Sequence, residues 1–153
     1  MVPDIKSIAI RIRKFCTYRE RSLKETEAKL AELGCPSAKI PALIRQLETE
    51  DFLNGPRYAS AYARGKFHIN RWGKRKIAYA LKRQGVPEAL IRQALEKIPE
   101  AEYREGLKKL LVGKIAQIKP GKNLKKREKV INFALGRGFE ASLANEILKE
   151  LNA

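Results

Sequence analysis

At 153 residues the chain has the length of one ordinary domain, enough to bury roughly 68–70% of its unfolded surface and hold a core without staples. Its 33 lysines and arginines against 17 aspartates and glutamates leave a net charge of +16, which calls for an anionic partner: nucleic acid, an acidic protein face or an anionic membrane. Hydrophobic residues at 44% exclude wholesale disorder, and no apolar run approaches the ~18 residues of a membrane span. From the N-terminus, Ile5, Ile8, Ile12 and Phe15 recur at three- and four-residue steps and predict one face of a helix. Ser22-x-x-Glu25 reads as a capping box opening a second helix, whose face is Leu23, Thr26, Leu30 and Leu33 and whose stop is Gly34. Pro36 opens the next turn, Ser37 is a candidate N-cap, and Ile40, Leu43, Ile44 and Leu47 form the third face. Pro56 fits the first turn of a helix reaching about Phe67. Trp72-Gly73 precedes a basic helix that ends at Gly85, and Pro87 and Pro99 mark further helix starts. Pro120-Gly121 breaks the chain, Asn123 can cap the next helix, and Gly136 and Gly138 end it. No alternating segment of strand length occurs, so the predicted fold is all-α with about nine helices.

An internal repeat underlies that count. Leu30, Gly34, Pro36, Ile40 and Leu47 shift by 51 onto Leu81, Gly85, Pro87, Ile91 and Ile98. A further shift of 53 carries Gly85, Val86, Leu90, Leu95 and Ile98 onto Gly138, Phe139, Leu143, Leu148 and Leu151, with Glu140 in place of the proline. The reading is three tandem three-helix repeats, residues 1–53, 54–98 and 99–153, forming an elongated stack of either hand. One unit of this size is small for a stable core, and stacking buries the remaining apolar faces.

The charge is uneven along these units. Residues 1–53 hold 10 basic and 8 acidic side chains, residues 54–98 hold 11 and 2, and residues 99–153 hold 12 and 7. Two acids in the middle unit are too few for an ordinary solvated face, so its charge points to binding. Arg57, Arg64, Lys66, Arg71, Lys74, Arg75, Lys76, Lys82 and Arg83 fall within 27 positions and interleave with Tyr58, Tyr62, Phe67, Trp72 and Tyr79. Ile77 and Leu81 face the core at helical spacing, while Arg75, Tyr79, Lys82 and Arg83 share an outer face. Cations there attract phosphate or carboxylate, and exposed aromatics can stack on unpaired bases. Tyr58, Tyr62 and Phe67 fit core positions, whereas Trp72 fits core and surface equally. A second basic cluster, Lys122, Lys125, Lys126, Arg127 and Lys129, flanks the Pro120-Gly121 break and reads first as a solvated segment. Its placement at a helix start opposes the helix dipole, so Lys122, Lys125, Lys126 and Arg127 join the candidate contacts.

Catalytic and metal-binding signatures are missing. His68 is the only histidine and reads as a surface residue, with no cysteine or carboxylate cluster around it. There is no Cys-x-x-Cys, His-Glu-x-x-His, phosphate-binding loop or Gly-x-Ser-x-Gly. Glu48, Glu50 and Asp51 look like the charged end of a helix and lack a further ligand for Mg²⁺. Cys16 and Cys35 leave room for one bridge but read as reduced, part-buried thiols. The expectation is a non-enzymatic protein with no metal or other cofactor, soluble and cytoplasmic, since Met1-Val2-Pro3-Asp4 lacks a leader pattern. Its basic stretches alternate with helix breakers and do not suit a membrane surface.

Three linked patches resemble the RecX family of regulators of the RecA recombinase. The first is Arg19-x-Arg21-Ser22-x-x-Glu25 with Lys29-Leu30 and Gly34. The second is Leu53-Asn54-Gly55-Pro56-Arg57-Tyr58-Ala59-x-x-Tyr62-x-Arg64. The third is Trp72-Gly73-Lys74-Arg75-Lys76-Ile77-x-x-x-Leu81-Lys82-x-x-Gly85-Val86. Together they cover about residues 8 to 98; the last third agrees in helical pattern more than in residues. The chain departs from the family at Gly55, where an aspartate is usual, and at Tyr58, where phenylalanine is frequent. The resemblance implies tandem three-helix repeats and binding to the RecA filament on single-stranded DNA, in its groove; a monomer is the default expectation for the chain. It also implies an inhibitory outcome in recombination, DNA repair and the SOS response: limited filament growth, ATP hydrolysis and strand exchange. The alternative reading of the same residues is a free-standing basic helical protein that binds nucleic acid directly.

Overall fold

The computed structural model describes residues 4–118 and 123–151. Among the described residues there are nine α-helices and no strand: α1 (Ile5–Tyr18), α2 (Leu23–Glu32), α3 (Ile40–Thr49), α4 (Gly55–His68), α5 (Lys74–Arg83), α6 (Glu88–Glu96), α7 (Glu100–Gln117), α8 (Asn123–Gly136) and α9 (Ala141–Glu150). The all-α architecture expected from periodicity is the one observed. No helix among the described residues is long and apolar enough to cross a membrane. The Pro120-Gly121 break lies outside the described residues, as does Lys122.

Helix ends follow the local chemistry. Ser22 Oγ accepts from the Glu25 amide at 3.0 Å while the Ser22 amide donates to Glu25 Oε1 at 3.1 Å, a complete capping box for α2. Four helices end in the same hydrogen-bonded cap. After α2, Gly34 N–H bonds Ala31 O and Cys35 N–H bonds Leu30 O; after α5, Gly85 and Val86 do the same to Lys82 O and Leu81 O. Gly138 and Phe139 repeat it on Leu135 O and Ala134 O after α8, and Asp51 and Phe52 on Glu48 O and Leu47 O after α3. The geometry needs a left-handed residue, and Gly34, Gly85, Gly138 and Asp51 have φ of 89°, 79°, 94° and 63°. Two expectations are corrected. Ser37 does not cap α3; it begins a single 3-10 turn (Ser37–Lys39) that precedes it, without a side-chain cap. Leu23, placed on the apolar face of α2, is 49% exposed, because Thr26 and Leu30 already turn the buried face inward.

The chain forms two compact units. One takes in residues up to Tyr62 together with Leu81–Ala94; the other takes in Ala63–Ala80 together with residues from Leu95 onward. Helices α4, α5 and α6 therefore each contribute residues to both units. In the first unit, α1, α2 and α3 close over Ile8, Ile12, Leu30, Leu43, Ile44 and Leu47, with Cys16 and Cys35 as free buried thiols. Each fully buried Leu or Ile contributes roughly 1.5–3 kcal/mol. Burial pushes the Cys16 thiol above its ordinary value, leaving it a small hydrophobe rather than a nucleophile. In the second unit, α7, α8 and α9 pack on one another. Tyr103 lies between Phe67 and Phe139, with ring centroids 5.6 and 5.2 Å away. Ile77, Leu107, Leu111, Val130 and Ile147 fill out this core.

Candidate functional site

The residues from the end of α4 through α5 carry the candidate contacts, and in the second unit their backbone is fixed by the α8–α9 turn. Gly73 N–H donates to Arg137 O at 2.7 Å and Arg75 N–H donates to Gly138 O at 3.0 Å. Arg137 Nη1 adds a bond to Asn70 O at 3.2 Å. The two glycines make this approach possible. A Cβ on Gly73 would run into the backbone of Gly138 and Phe139, and a Cβ on Gly138 into Lys76. The buried Tyr103 hydroxyl completes the join: it accepts from Lys74 N–H at 2.9 Å and donates to the Glu140 carboxylate at 2.8 Å. Burial raises the Tyr103 phenol well above its ordinary value, with Glu140 acting in the same sense, so it stays a proton donor.

The candidate cations of this unit fall into two groups. Lys66 and Lys76 each place an ammonium 4.7 Å from the centroid of half-buried Trp72, and Lys74 lies 4.8 Å from that of Tyr103. These lysines spread charge over aromatic faces. Arg64, Arg71 and Arg75 are exposed and have no carboxylate partner among the described residues. Arg71 also adopts φ of 58° in the loop between α4 and α5. Tyr79, one turn beyond Arg75, is 64% exposed. In α8, Lys125 is exposed, Lys126 is half-buried, and Arg127 is held by Asn145 Oδ1 at 3.0 Å.

In the first unit, Lys82 and Arg83 are exposed at the end of α5. The Arg83 carbonyl accepts from Lys24 Nζ at 3.2 Å. Arg57 is held internally, 2.5 Å from Glu20 and 3.0 Å from Asp51. The Glu20 hydrogen bond raises the Arg57 pKa further, and Asn54 and Arg57 together hold the Asp51 carboxyl below its ordinary value. Tyr58 and Phe67 are buried and Tyr62 is half-buried, as core positions require. His68 is exposed at the end of α4, 3.9 Å from Glu102.

Sequence reasoning did not find Arg137, Tyr103 or Glu140 as supports of this site. Gly138 was legible only as a helix stop, because its contact with Gly73 joins positions 65 residues apart.

The family model described as RecX, second three-helix domain, matches residues 56–95. A regulatory protein RecX of Clostridium acetobutylicum is 33% identical over 84% of this chain and 61% of its own length. One from Clostridium perfringens is 31% identical over 88% and 63%, and one from Prosthecochloris aestuarii 27% identical over 87% and 85%. The chain thus spans about six-tenths of the length of the two clostridial relatives. A crystal structure of RecX from Lactobacillus salivarius superposes with a TM-score of 0.89 at 23% identity, covering 97% of this chain and 96% of that one. A second solved regulatory protein RecX gives 0.85 at 21% identity, over 94% and 71%. The family-model match lies on α4–α6, the relatives extend it along most of the chain, and the solved structures share the fold: the chain belongs to the RecX family.

Proposed function

We propose that this chain is a non-enzymatic modulator, mainly an inhibitor, of the RecA recombinase, acting on the filament that RecA forms on single-stranded DNA. The observation that carries the reading is family membership, matched on α4–α6, where the chain is most basic. The three-helix description of that match, and the identical caps at Gly34, Gly85 and Gly138, support three repeats at 1–53, 54–98 and 99–153. Arg64, Arg71, Arg75, Lys82 and Arg83 are the charge partners for acidic filament surfaces, with Lys66, Trp72, Lys74, Lys76 and Tyr79 beside them; Lys125, Lys126 and Arg127 add to the charge. Arg57 serves the site through its ion pairs with Glu20 and Asp51, which set the start of α4. A protein that bridges successive protomers shifts the filament toward the geometry it binds better, and only that differential affinity limits growth and ATP hydrolysis. The protein works as a cytoplasmic monomer without a cofactor, in recombination, repair and the SOS response.

The test is RecA ATPase on single-stranded DNA, titrated with this protein at physiological salt. Loss of activity is expected at protein levels too low to coat the DNA. The variant carrying Arg75→Glu, Lys82→Glu and Arg83→Glu is expected to stay folded and lose at least about tenfold in potency, since hydrogen-bonded charge partners contribute about 1.5–3 kcal/mol each. Unchanged inhibition by that folded variant refutes the assignment of these residues. A second reading, direct nucleic-acid binding, is favoured by the exposure of Tyr79 beside Arg75. It takes precedence if bare single strands bind as tightly as the filament, with log affinity falling about 0.7 per contacted phosphate against log salt.

A further inference from the structure

A groove of about 470 Å³ runs between α5 and the α8–α9 turn, wholly within the second unit. No acidic side chain lines it. Its basic side is Arg75, exposed and without a carboxylate partner among the described residues, and Lys76. Tyr79 and Leu135, 64% and 40% exposed, supply flat and apolar surface. Gly136 lines it as well, and a Cβ there would meet nothing within 4 Å. The amides of Lys74 and Arg75 already donate to Tyr103 and to Gly138. With these first amides of α5 engaged, the side chains of Arg75 and Lys76 are the main hold on an anion in the groove.

These features specify a ligand that is anionic at one end and flat and apolar at the other. Arg75 and Tyr79 stand one helical turn apart, about 5–6 Å between Cβ positions, which suits the step from a phosphate to its own base. The volume suits one nucleotide, and a base can lie on Tyr79 only if its face is free of the stacked neighbours that cover it in a duplex, as in a single strand. We propose that this groove is a subsite for one unpaired nucleotide of a single strand, with the phosphate on Arg75 and Lys76 and the base stacked on Tyr79 against Leu135. The proposal goes beyond the recombinase reading and does not depend on it, because the groove recognises the strand itself.

The test uses the full chain and no recombinase. A labelled oligothymidylate and the same strand with abasic positions are titrated by fluorescence anisotropy, with far-UV circular dichroism as the folding control. The base-bearing strand is expected to bind about tenfold more tightly than the abasic one, within the range for one stacked base. Tyr79→Ala is expected to weaken the base-bearing strand about tenfold and leave the abasic strand unchanged, while Tyr79→Phe retains wild-type affinity. Gly136→Leu, which adds bulk at a lining position where a Cβ meets no neighbour, is expected to behave like Tyr79→Ala. Arg75→Gln is expected to reduce the salt slope by about 0.7 on both strands. Failure of the wild-type protein to bind the strand overturns the proposal. So does a Tyr79→Ala variant with unchanged affinity, or with equal losses on both strands, and so does a Gly136→Leu variant that binds normally. Displacement of the strand by a Glu-rich, leucine-containing peptide as readily as by unlabelled oligonucleotide assigns the groove to a protein segment and likewise overturns it. Because RecA is absent, none of these results bears on filament inhibition, which the ATPase titration reads separately.

Discussion

Gly85 and Gly138 occupy equivalent caps with similar dihedrals, φ of 79° and 94°, yet their surroundings differ. A Cβ on Gly85 meets nothing, whereas one on Gly138 meets the side chain and backbone of Lys76. Gly85→Ala should therefore cost only the left-handed strain, about 1–2 kcal/mol. Gly138→Ala adds overpacking and should cost about 3 kcal/mol or more. Urea denaturation of the two variants checks the order; equal losses would show that the join between α5 and the α8–α9 turn carries no stability. Tyr58 offers a second residue-scale test. Burial, helped by the charge of Glu25, pushes its phenol from 10 up to about 12. Below pH 10 the phenol is protonated in both folded and unfolded chains, and its contribution is complete. Above pH 10 the unfolded chain ionises first, so that stability is lost as pH rises toward about 12. Tyr58→Phe, the residue the family resemblance brings to this position, should fold normally and show a shallower alkaline loss in pH-dependent melting.

Among elements, α2 is the one whose start depends most visibly on two side chains. Ser22→Ala removes half of the capping box and should cost about 1 kcal/mol. Burial alone would raise the Glu25 pKa, but the Ser22 amide and the Arg19 ion pair outweigh it and hold the carboxyl below 4.5. Its stabilisation is therefore present above about pH 4.5 and lost as pH falls through the lowered folded value. Glu25→Gln should be less stable than the parent at neutral pH, with the difference shrinking to near zero under acid; a constant difference would mean the charge is not what holds the cap. Helix α5 shows how far an element is legible beforehand. Its bounds follow from Gly73 and Gly85, and its buried Ile77 and Leu81 and its exposed Arg75, Tyr79, Lys82 and Arg83 follow from the 3.6-residue period. Its bonds to Arg137, Gly138 and Tyr103 do not, because periodicity says which face is buried and nothing about what covers it.

For the whole molecule, the net charge of +16 is a source of self-repulsion that the ion pairs among the described residues relieve only locally. The melting temperature should rise as NaCl increases from 50 to 500 mM (~14 to ~4 Å Debye length), since screening of the excess outweighs screening of a few exposed pairs. A fall over that range would show that the pairs, such as Arg13–Glu50, dominate instead.

By itself the sequence determined the all-α class, most helix bounds, the glycine caps, the concentration of positive charge on the middle segment and the family. These are local or additive properties, written in spacing, composition and short motifs. Only the tertiary structure decided which cations stand apart from acids. Arg57, legible as one more member of the basic run, is bound to Glu20, 37 positions away in the chain. Arg75 and Tyr79 gain a groove because Leu135 and Gly136 are brought beside them. Partners so distant in sequence are selected by packing, and packing is settled by close backbone approaches, such as that of Gly73 and Gly138, that leave no periodic trace in the chain.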